Sequence, residues 1–395
     1  MERINTVIIG GGASGLFCAC ALKGEYAISE RNDRLGKKLS ATGNGQGNLT
    51  NENVCPSAYY SLTPDGGKIE KIINGAGKSA MLEFFTRRGF MLSSDERGRY
   101  YPLSRQASAV TDLLRYEVGG KAKRIYTGAL VSSVKREKGE FIVEFNRDGK
   151  TEKLACKNLV VATGGKSAKN FGSDGNGYNL AKSFGHTVTE IYPSLVQLKT
   201  ETEPIKGLKG IKTKVKITAK IGGRVVATDY GDLIFTDFGV SGDTIFRLSA
   251  KITHQLNQKT ELIVDFCPDE SEESLIDAIT VKKRNVFVPP TEILCGILPN
   301  KIGRLILSKT SNTQQVAKLI KNYPLTVTGN LGFDNAQVSK GGIPLDQVDF
   351  DLQSKKADNL FFTGEILDCD GDCGGFNLQW AFSCAMAVAN KINNG

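Results

Sequence analysis

The 395-residue sequence has no run of about 20 apolar residues, little proline and no pair of cysteines at C-x-x-C spacing. The first absence argues against a membrane-spanning helix. Only 11 prolines beside 44 glycines exclude a collagen-like or mucin-like chain. Hydrophobic residues make up 40% of the chain, enough for a sizeable core, so disorder is excluded as its main state. At roughly 150 residues per domain, the length predicts two or three domains.

Disulfides and a secretory leader are also not expected. Residues 7–22 are fairly apolar and follow Arg3, but four glycines interrupt them and no clear cleavage site follows. The nine cysteines are odd in number and scattered along the chain. This usage fits a reducing compartment, so the sequence predicts a cytoplasmic protein with no membrane partner.

Positive charge is concentrated in the middle of the chain, whose net charge is +9. Residues 196–225 hold eight Lys/Arg against two Glu, and 281–325 hold eight against Glu292. Lysines 212, 214, 216 and 220 alternate with less polar residues, which predicts a strand with one solvated face. Aromatic residues do not interleave with these lysines, so a nucleic-acid partner is not expected.

Hydrophobic periodicity predicts an α/β chain with an insertion. The first 35 residues read as strand (6–9), glycine turn, helix (16–22) and strand (26–29), and after about residue 190 short strands with glycine turns follow. Further predicted elements are helices at 78–88, 106–118 and 176–183, a hairpin at 91–101 turning at 95–98, a meander over 125–163 with a turn at 146–149, a mostly helical stretch at 271–321, a strand at 360–363 and a closing helix at 377–392.

A dinucleotide-binding loop lies between the first strand and the first helix. Gly10 allows the tight turn, Gly12 admits a pyrophosphate to the backbone, and Gly15 lets helix and strand pack closely. Ala13 and Ser14 open the helix, whose free N–H groups and positive dipole end face the phosphates. Glu30 ends the next strand, where a carboxylate accepts hydrogen bonds from an unphosphorylated ribose. The site therefore predicts FAD or NAD rather than NADP.

Two further features favour FAD. Residues 37–51 form a polar, glycine-rich loop that can lie along a large planar ligand, and we place Lys38, Thr42, Gly43, Asn44 and Gly45 in that role, with Arg31 after the second strand. Strand–Thr–Gly units at 159–165 and 360–365 return to the nucleotide domain, as is typical of flavoproteins with two dinucleotide-binding domains.

With these motifs the sequence resembles the BaiN/YhiN-like flavoprotein family, whose members include reductases of 3-dehydro-bile-acid type and oxidases of aminoacetone type. The resemblance spans essentially the whole chain. The matching segments are 7–15, 37–51, 162–167, 172–178, 185–187, 193–195, 235–242, 341–342, 364–371 and 374–380.

The resemblance implies an α/β, Rossmann-like FAD fold with an inserted β-barrel-like domain and a helical subdomain. The FAD-binding domain would comprise 1–190 and 346–395, and the inserted substrate domain 191–345, with the helices at about 269–323. Gly10, Gly12, Gly15 and Glu30 would bind the adenosine half of FAD, and the Val131 backbone its adenine. Near the pyrophosphate, ribityl chain or flavin ring it places Thr163, Gly164, Gly364, Glu365, Asp368, Asn377 and Leu378.

Two segments depart from the family pattern. Members usually carry Arg-Cys where this chain has Gln46-Gly47, and His where it has Asp237. Because Gly47 has no side chain, we expect a larger substrate pocket there. We also expect redox activity to survive, since hydride transfer from flavin N5 needs positioning more than a protein nucleophile.

Few groups in the sequence are candidates for a direct role in catalysis. The bare N–H groups at Gly374-Gly375, before Phe376 and Asn377, would stabilise an anionic reduced flavin. Cys369 and Cys373 are the candidate redox thiols, with packing as the simpler interpretation. His186 is interpreted as structural and His254 as exposed. Tyr100, Tyr101 and Tyr178 are candidate proton donors, and no metal site is expected.

These features predict an FAD-dependent oxidoreductase that reduces a polarised C=C bond of a small or steroid-like substrate by hydride transfer from flavin N5. NADH or NADPH is the expected electron donor, although no second nucleotide domain is present to bind it. Two alternatives stay open: an amine oxidase that passes electrons to oxygen, and an FAD-dependent enzyme that modifies nucleic acid.

Overall fold

The computed structural model describes all residues, Met1–Gly395, which form two compact units. We call Met1–Pro193 with Gln337–Gly395 the sheet unit, and Ser194–Ala336 the barrel unit. The return to the sheet unit comes earlier than the predicted residue 346, because the Ile343 N–H donates to the Ile366 carbonyl at 3.0 Å within that unit. Which ligand each unit binds stays a prediction.

The strands and helices follow the predicted order. The strands are β1 (Glu2–Ile9), β2 (Tyr26–Ser29), β3 (Thr50–Asn51), β4 (Tyr59–Tyr60), β5 (Leu92–Ser94), β6 (Arg99–Pro102), β7 (Arg124–Tyr126), β8 (Leu130–Glu137), β9 (Glu140–Arg147), β10 (Lys150–Val161), β11 (Tyr192–Ser194), β12 (Leu198–Thr200), β13 (Lys212–Ile221), β14 (Arg224–Phe235), β15 (Gly239–Ser241), β16 (Thr260–Asp265), β17 (Tyr323–Asn330), β18 (Val338–Lys340), β19 (Leu360–Phe362) and β20 (Asp370–Gly371). The helices are α1 (Ala13–Ala21), α2 (Lys68–Gly75), α3 (Lys78–Thr86), α4 (Ala107–Lys121), α5 (Asn176–Ser183), α6 (Asp243–Ile252), α7 (Glu272–Arg284), α8 (Asn300–Leu307), α9 (Thr313–Lys321) and α10 (Phe376–Asn394).

The sheet unit is built on a seven-stranded sheet in the order β7-β2-β1-β10-β9-β8, with β19 also paired to β10. Strands β7, β2, β1, β10 and β19 run parallel, so their carboxyl ends meet at one edge. In such sheets ligands bind at that edge, beside the loops that follow the strands. The β1–α1 loop, Glu30 and the residues after β10 and β19 therefore lie at the ligand-binding edge of the fold.

The antiparallel part of this sheet is the predicted meander. Strands β9 and β10 pair from Lys150↔Arg147 to Cys156↔Phe141, and the turn between them uses Asp148 and Gly149 at positive φ. An Asp-Gly pair is favoured in such two-residue hairpins, so the predicted turn is confirmed.

Helix α1 is almost wholly buried, and its Phe17 packs edge-to-face against Phe84, Phe85 and Phe382. Helices α3, α4, α5 and α10 fall where periodicity predicted them. Helix α2 was not predicted, and its Ile69, Ile72 and Ile73 are buried.

The barrel unit contains a closed barrel in the order β12-β15-β14-β13-β16-β17. Along β13 the even-numbered lysines 212, 214 and 216 are exposed, whereas Val215, Ile217 and Ala219 are buried, as the alternation predicted. Helices α7, α8 and α9 contribute to the same hydrophobic core as the barrel strands, and Ile279, Ile302 and Ile306 are among its residues. The sheet and the barrel confirm the predicted fold class. None of the helices combines the length and apolarity needed to cross a bilayer.

Candidate functional site: the glycine loop and the carboxyl edge of the sheet

Each glycine of the β1–α1 loop has its own steric reason. A Cβ on Gly10, whose φ is +103°, would lie 2.5 Å from the Ala162 carbonyl oxygen, and one on Gly15 would lie 2.0 Å from the Gly10 oxygen. These two glycines let α1 approach the strands. Gly12 differs, because its φ of −76° suits any residue and a Cβ there would meet no protein atom within 4 Å. The fold itself does not require glycine at position 12.

This open space at the start of α1 fits a dinucleotide. The first N–H groups of a helix lack intrahelical acceptors, and Gly12 makes no side-chain cap. A pyrophosphate would use both the space and these donors. Two buried side-chain oxygens elsewhere in the sheet unit, Thr163 Oγ1 and Asn48 Oδ1, also lack protein hydrogen-bond partners. A ligand rich in hydrogen-bonding groups fits this arrangement, so the residues present match the adenosine diphosphate part of FAD.

Glu30 shapes the loop that it faces. Its side chain is 6% exposed, and its carboxylate accepts hydrogen bonds from the Gly11 N–H at 2.8 Å and from the Asn32 N–H at 2.8 Å. The Asn32 amide adds a third bond at 2.7 Å. Alanine at position 30 would leave the buried Gly11 N–H without this acceptor, which costs about 1–3 kcal/mol, whereas the Asn32 amide would still donate to the Phe171 carbonyl at 3.0 Å. Glu30 therefore has a structural role in this loop beside its predicted role toward the ribose.

Hydrogen bonds join several predicted site residues at the carboxyl edge. Ser14 Oγ lies 2.6 Å from Thr363 Oγ1, which links α1 to the end of β19. Lys38 forms an ion pair of 2.8 Å with Glu365, whose other oxygen accepts the Ser339 N–H at 2.9 Å. The structure therefore brings the glycine-rich loop and the segment after β19 together.

Other predicted residues use their side chains to hold the protein. The buried Asp368 carboxylate accepts the N–H groups of Leu62 and Thr63 at 3.0–3.1 Å. Asn377 bonds both backbone groups of Gly371 at 2.9 Å. Their cofactor contacts stay predictions, and these bonds make them supports of the site.

The remaining predicted residues lie on the same unit. Arg31 pairs with Asp174 at 2.5 Å, and the Val131 carbonyl lies 3.5 Å from the Asn176 amide nitrogen. The Thr42 hydroxyl donates to the Leu39 carbonyl at 2.7 Å. Gly43, Asn44 and Gly45 have positive φ, Gly164 and Gly364 follow β10 and β19 at positive φ, and Gly375 precedes Leu378 at the start of α10.

The expected larger pocket at Gly47 is wrong. Gly47 is buried, its φ is +77°, and a Cβ there would lie 2.9 Å from the Ala107 Cα. The volume that a side chain would fill is therefore occupied by the α4 backbone. The other departure, Asp237, is exposed and pairs with Lys209 on the surface of the barrel unit.

None of the nine cysteines forms a disulfide. Burial raises the pKa of Cys18, Cys20 and Cys156 to about 12, and it raises the pKa of Cys369 well above its usual range. A reactive thiol needs a lowered pKa, so these four behave as packing residues. Cys18 and Cys20 are both buried in α1.

The histidine and tyrosine candidates differ in surroundings. His186 is buried and bonds Gln347 at 3.1 Å and Ser354 at 2.7 Å, which confirms its structural role. His254 is partly buried, not exposed, and its Nε2 lies 2.8 Å from the Gln255 amide nitrogen. Tyr178 is buried and its hydroxyl has no protein partner, and burial raises its pKa. Tyr100 instead donates to Glu52 at 2.7 Å.

Two features near this edge were not predicted. Lys340 and Asp370 form an ion pair of 2.6 Å whose side chains are 5% and 1% exposed. The Arg105 guanidinium stacks on Tyr101 with 4.2 Å between Cζ and the ring centroid. A lysine before Gly341-Gly342 and an arginine between helix and strand carry no sequence signal of burial or stacking. No three His, Cys, Asp or Glu side chains converge as metal ligands.

The sequence is similar to a known protein family and to characterised relatives along nearly its whole length. The HI0933-like protein Rossmann domain matches residues 4–391. A 3-dehydro-bile acid delta(4,6)-reductase of Clostridium scindens is 36% identical, covering 97% of this chain and 97% of the relative. A ribosomal RNA dihydrouridine synthase of Haemophilus influenzae is 29% identical, covering 98% of each chain.

Solved structures share the fold. A 3-ketosteroid delta1-dehydrogenase from Sterolibacterium denitrificans, in complex with 1,4-androstadiene-3,17-dione, matches with a TM-score of 0.55 over 100% of both chains. The identity is 10%, so this likeness shows the fold alone.

Proposed function

The chain belongs to the HI0933-like family, and on this premise we propose that it is an FAD-dependent oxidoreductase that reduces a polarised C=C bond of a steroid-like molecule. The observation that carries the proposal is the 36% identity, over 97% of both chains, to a reductase named for a 3-dehydro-bile acid. The nine cysteines, none of which forms a disulfide, support a cytoplasmic location as part of the proposal.

The β1–α1 loop and Glu30 would hold the adenosine half of FAD. The open space at Gly12 would receive the pyrophosphate, and the Glu30 carboxylate, which backbone N–H groups hold in place, would accept a hydrogen bond from a ribose hydroxyl. Thr163 and the loop containing Asn48 offer buried polar atoms to the rest of the cofactor. When bound, FAD would supply the hydride chemistry.

Reduction of the C=C bond adds a hydride to one carbon and a proton to the other. The reducing equivalents would come from NADH or NADPH, and the proton from a phenol or water. Burial raises the pKa of Tyr101 and of Tyr178, so both stay protonated at neutral pH and can act as acids. The N–H groups at the start of α10 would stabilise negative charge beside them.

A second candidate function is reduction of uridine in RNA. The Haemophilus influenzae relative carries the name of a ribosomal RNA dihydrouridine synthase, and the uracil C5=C6 bond is conjugated to a carbonyl like the bond of a 3-oxo-4-ene. The barrel unit also presents Phe287, which is 91% exposed and follows Lys282, Lys283 and Arg284. An exposed aromatic beside cations is a feature of single-stranded nucleic-acid binding.

Anaerobic flavin reduction tests the proposal. The purified yellow protein is mixed separately with NADH, NADPH and a set of primary amines, and the loss of flavin absorbance is followed. We expect a reduced nicotinamide to bleach the flavin, and subsequent addition of a 3-oxo-4-ene steroid acid to restore its absorbance.

Each other outcome points elsewhere. Bleaching by an amine, with recovery only on admission of oxygen, would replace the proposal by an amine oxidase. Recovery with a uridine-containing RNA but not with the steroid acid would favour the second candidate function.

A further inference from the structure

Arg105 is a half-buried cation without an anionic partner. Its guanidinium contacts no carboxylate and no hydrogen-bond acceptor, and its one interaction is the stack on the buried Tyr101 ring. The neighbouring Arg99 also borders that ring, at 5.9 Å, but its charge is matched by Asp95 through bonds of 2.7–2.8 Å. The group of Tyr101, Arg99, Asp95 and Arg105 therefore carries one unmatched positive charge.

The backbone of Arg105 is also unusual. Its φ is +52°, in the left-handed region that non-glycine residues rarely adopt. Non-glycine residues in this conformation cost free energy, and such residues concentrate at ligand sites. The Tyr101 ring holds the Arg105 side chain in place. The Arg105 N–H donates to the Pro102 carbonyl at 2.8 Å and closes the turn that carries this side chain.

The strand that carries the stacked Tyr101 ring is joined by hydrogen bonds to segments predicted to hold the flavin ring. Strand β6, which carries Tyr101, pairs with β3 at Thr50↔Tyr100 and Asn51↔Arg99. The Asn51 amide in turn donates to the Gly374 carbonyl at 2.9 Å, at the start of α10. A Cβ on Gly374 would lie 3.4 Å from the Arg99 Cδ.

Apolar surface adjoins the cation. Met91 and Leu103 are 69% and 57% exposed, and their backbones are joined by the Leu103 N–H to the Met91 carbonyl at 2.9 Å. Single exposed apolar residues are ordinary. Leu103 is paired with Met91 and lies two residues before Arg105 in the chain. These three residues form a surface that is apolar on one side and cationic on the other.

We propose that Arg105 binds the carboxylate of an amphiphilic substrate, with Leu103 and Met91 contacting its apolar body. The inference rests on the proposed function, and it narrows the substrate class to hydrophobic carboxylic acids that contain a polarised C=C bond. A guanidinium suits this task because its planar donors match both carboxylate oxygens. Tyr101 fixes the plane of that fork before the substrate arrives.

Calorimetric titration of the oxidised, cofactor-loaded protein tests this assignment without turnover. The probes are 3-oxochol-4-en-24-oic acid and its methyl ester, which lacks the negative charge and carries one extra methyl group. We expect the native protein to bind the acid roughly 10- to 100-fold more tightly than the ester, the range of a charged hydrogen bond. Arg105→Ala should abolish this preference, and Arg105→Lys should restore part of it.

Two further variants separate charge from apolar contact. Arg136→Ala removes another arginine stacked on a ring, Phe141, on the exposed side of β8, and should keep the full preference for the acid. Leu103→Asn should weaken the acid and the ester by the same factor.

Equal affinity of the native protein for acid and ester, or a preference that survives Arg105→Ala, would overturn the assignment. So would binding of a uridine oligonucleotide that depends on Arg105 while the acid does not bind, because the anion would then be an RNA phosphate. A clear preference for the acid with no turnover of it would keep the carboxylate site and reject the proposed function. Flavin content and the thermal midpoint of each variant show whether it is folded.

Discussion

At the scale of single residues, the structure distinguishes the glycines of the β1–α1 loop that the sequence pattern grouped together. Gly10 and Gly15 are required by protein contacts, whereas Gly12 faces space that no protein atom fills. The pattern could not predict that Glu30 also accepts hydrogen bonds from the loop, since this depends on where the Gly11 and Asn32 backbones lie. It could not predict the unmatched charge of Arg105 either, because pairing across distant segments has no local signal.

Gly12→Val is expected to remove flavin without unfolding the protein. The valine would extend into the space that the pyrophosphate needs, while no protein atom lies within 4 Å of the new Cβ. Released flavin, measured by absorbance after heat denaturation, should fall more than tenfold, and the circular dichroism spectrum should not change. Gly119→Val is the matched control, since its Cβ also meets open space, on the exposed side of α4. Full flavin content in Gly12→Val would mean that the loop does not bind the cofactor.

At the scale of elements, the spacing of apolar residues predicted most of the strands and helices of the sheet unit. Strand β2 and helix α5 match their predicted bounds, and β1 and α10 match within a few residues. Helix α2 was missed because its eight residues are short and lie between glycines, where tertiary packing rather than local pattern decides the structure. The loop at 37–51 contains tight turns at Leu39–Gly45, with Thr42, Gly43 and Asn44 outside helical geometry.

The ion pair between Lys340 on β18 and Asp370 on β20 is expected to hold these strands together. Lys340→Met would leave the Asp370 charge, which is 1% exposed, without this cation, and such a loss costs about 3–5 kcal/mol. Urea unfolding should therefore show a lower midpoint for Lys340→Met. The double variant Lys340→Met with Asp370→Leu should recover much of the loss, because no buried charge remains. A midpoint for Lys340→Met equal to that of the native protein would contradict this role of the pair.

At the scale of the whole molecule, the change in texture near residue 190 predicted an insertion, and the structure has two units with separate hydrophobic cores. The return point was less predictable, because β18 and Ile343 have no strong periodicity and join the sheet unit through backbone pairing with distant residues. Composition only excluded classes of protein. The proposed reaction was inferred from the glycine loop, the carboxyl edge of the sheet and the similarity to a bile-acid reductase.

The central claim is that this chain reduces a conjugated C=C bond with electrons held on bound FAD, and a single-turnover reaction tests it most directly. The purified protein is reduced with dithionite under anaerobic conditions, freed of excess reductant and mixed with 3-oxochol-4-en-24-oic acid. We predict that flavin absorbance returns and that mass spectrometry finds one product two hydrogens heavier than the acid for each flavin reoxidised. A flavin that stays reduced until oxygen is admitted, with the acid recovered unchanged, would contradict the claim.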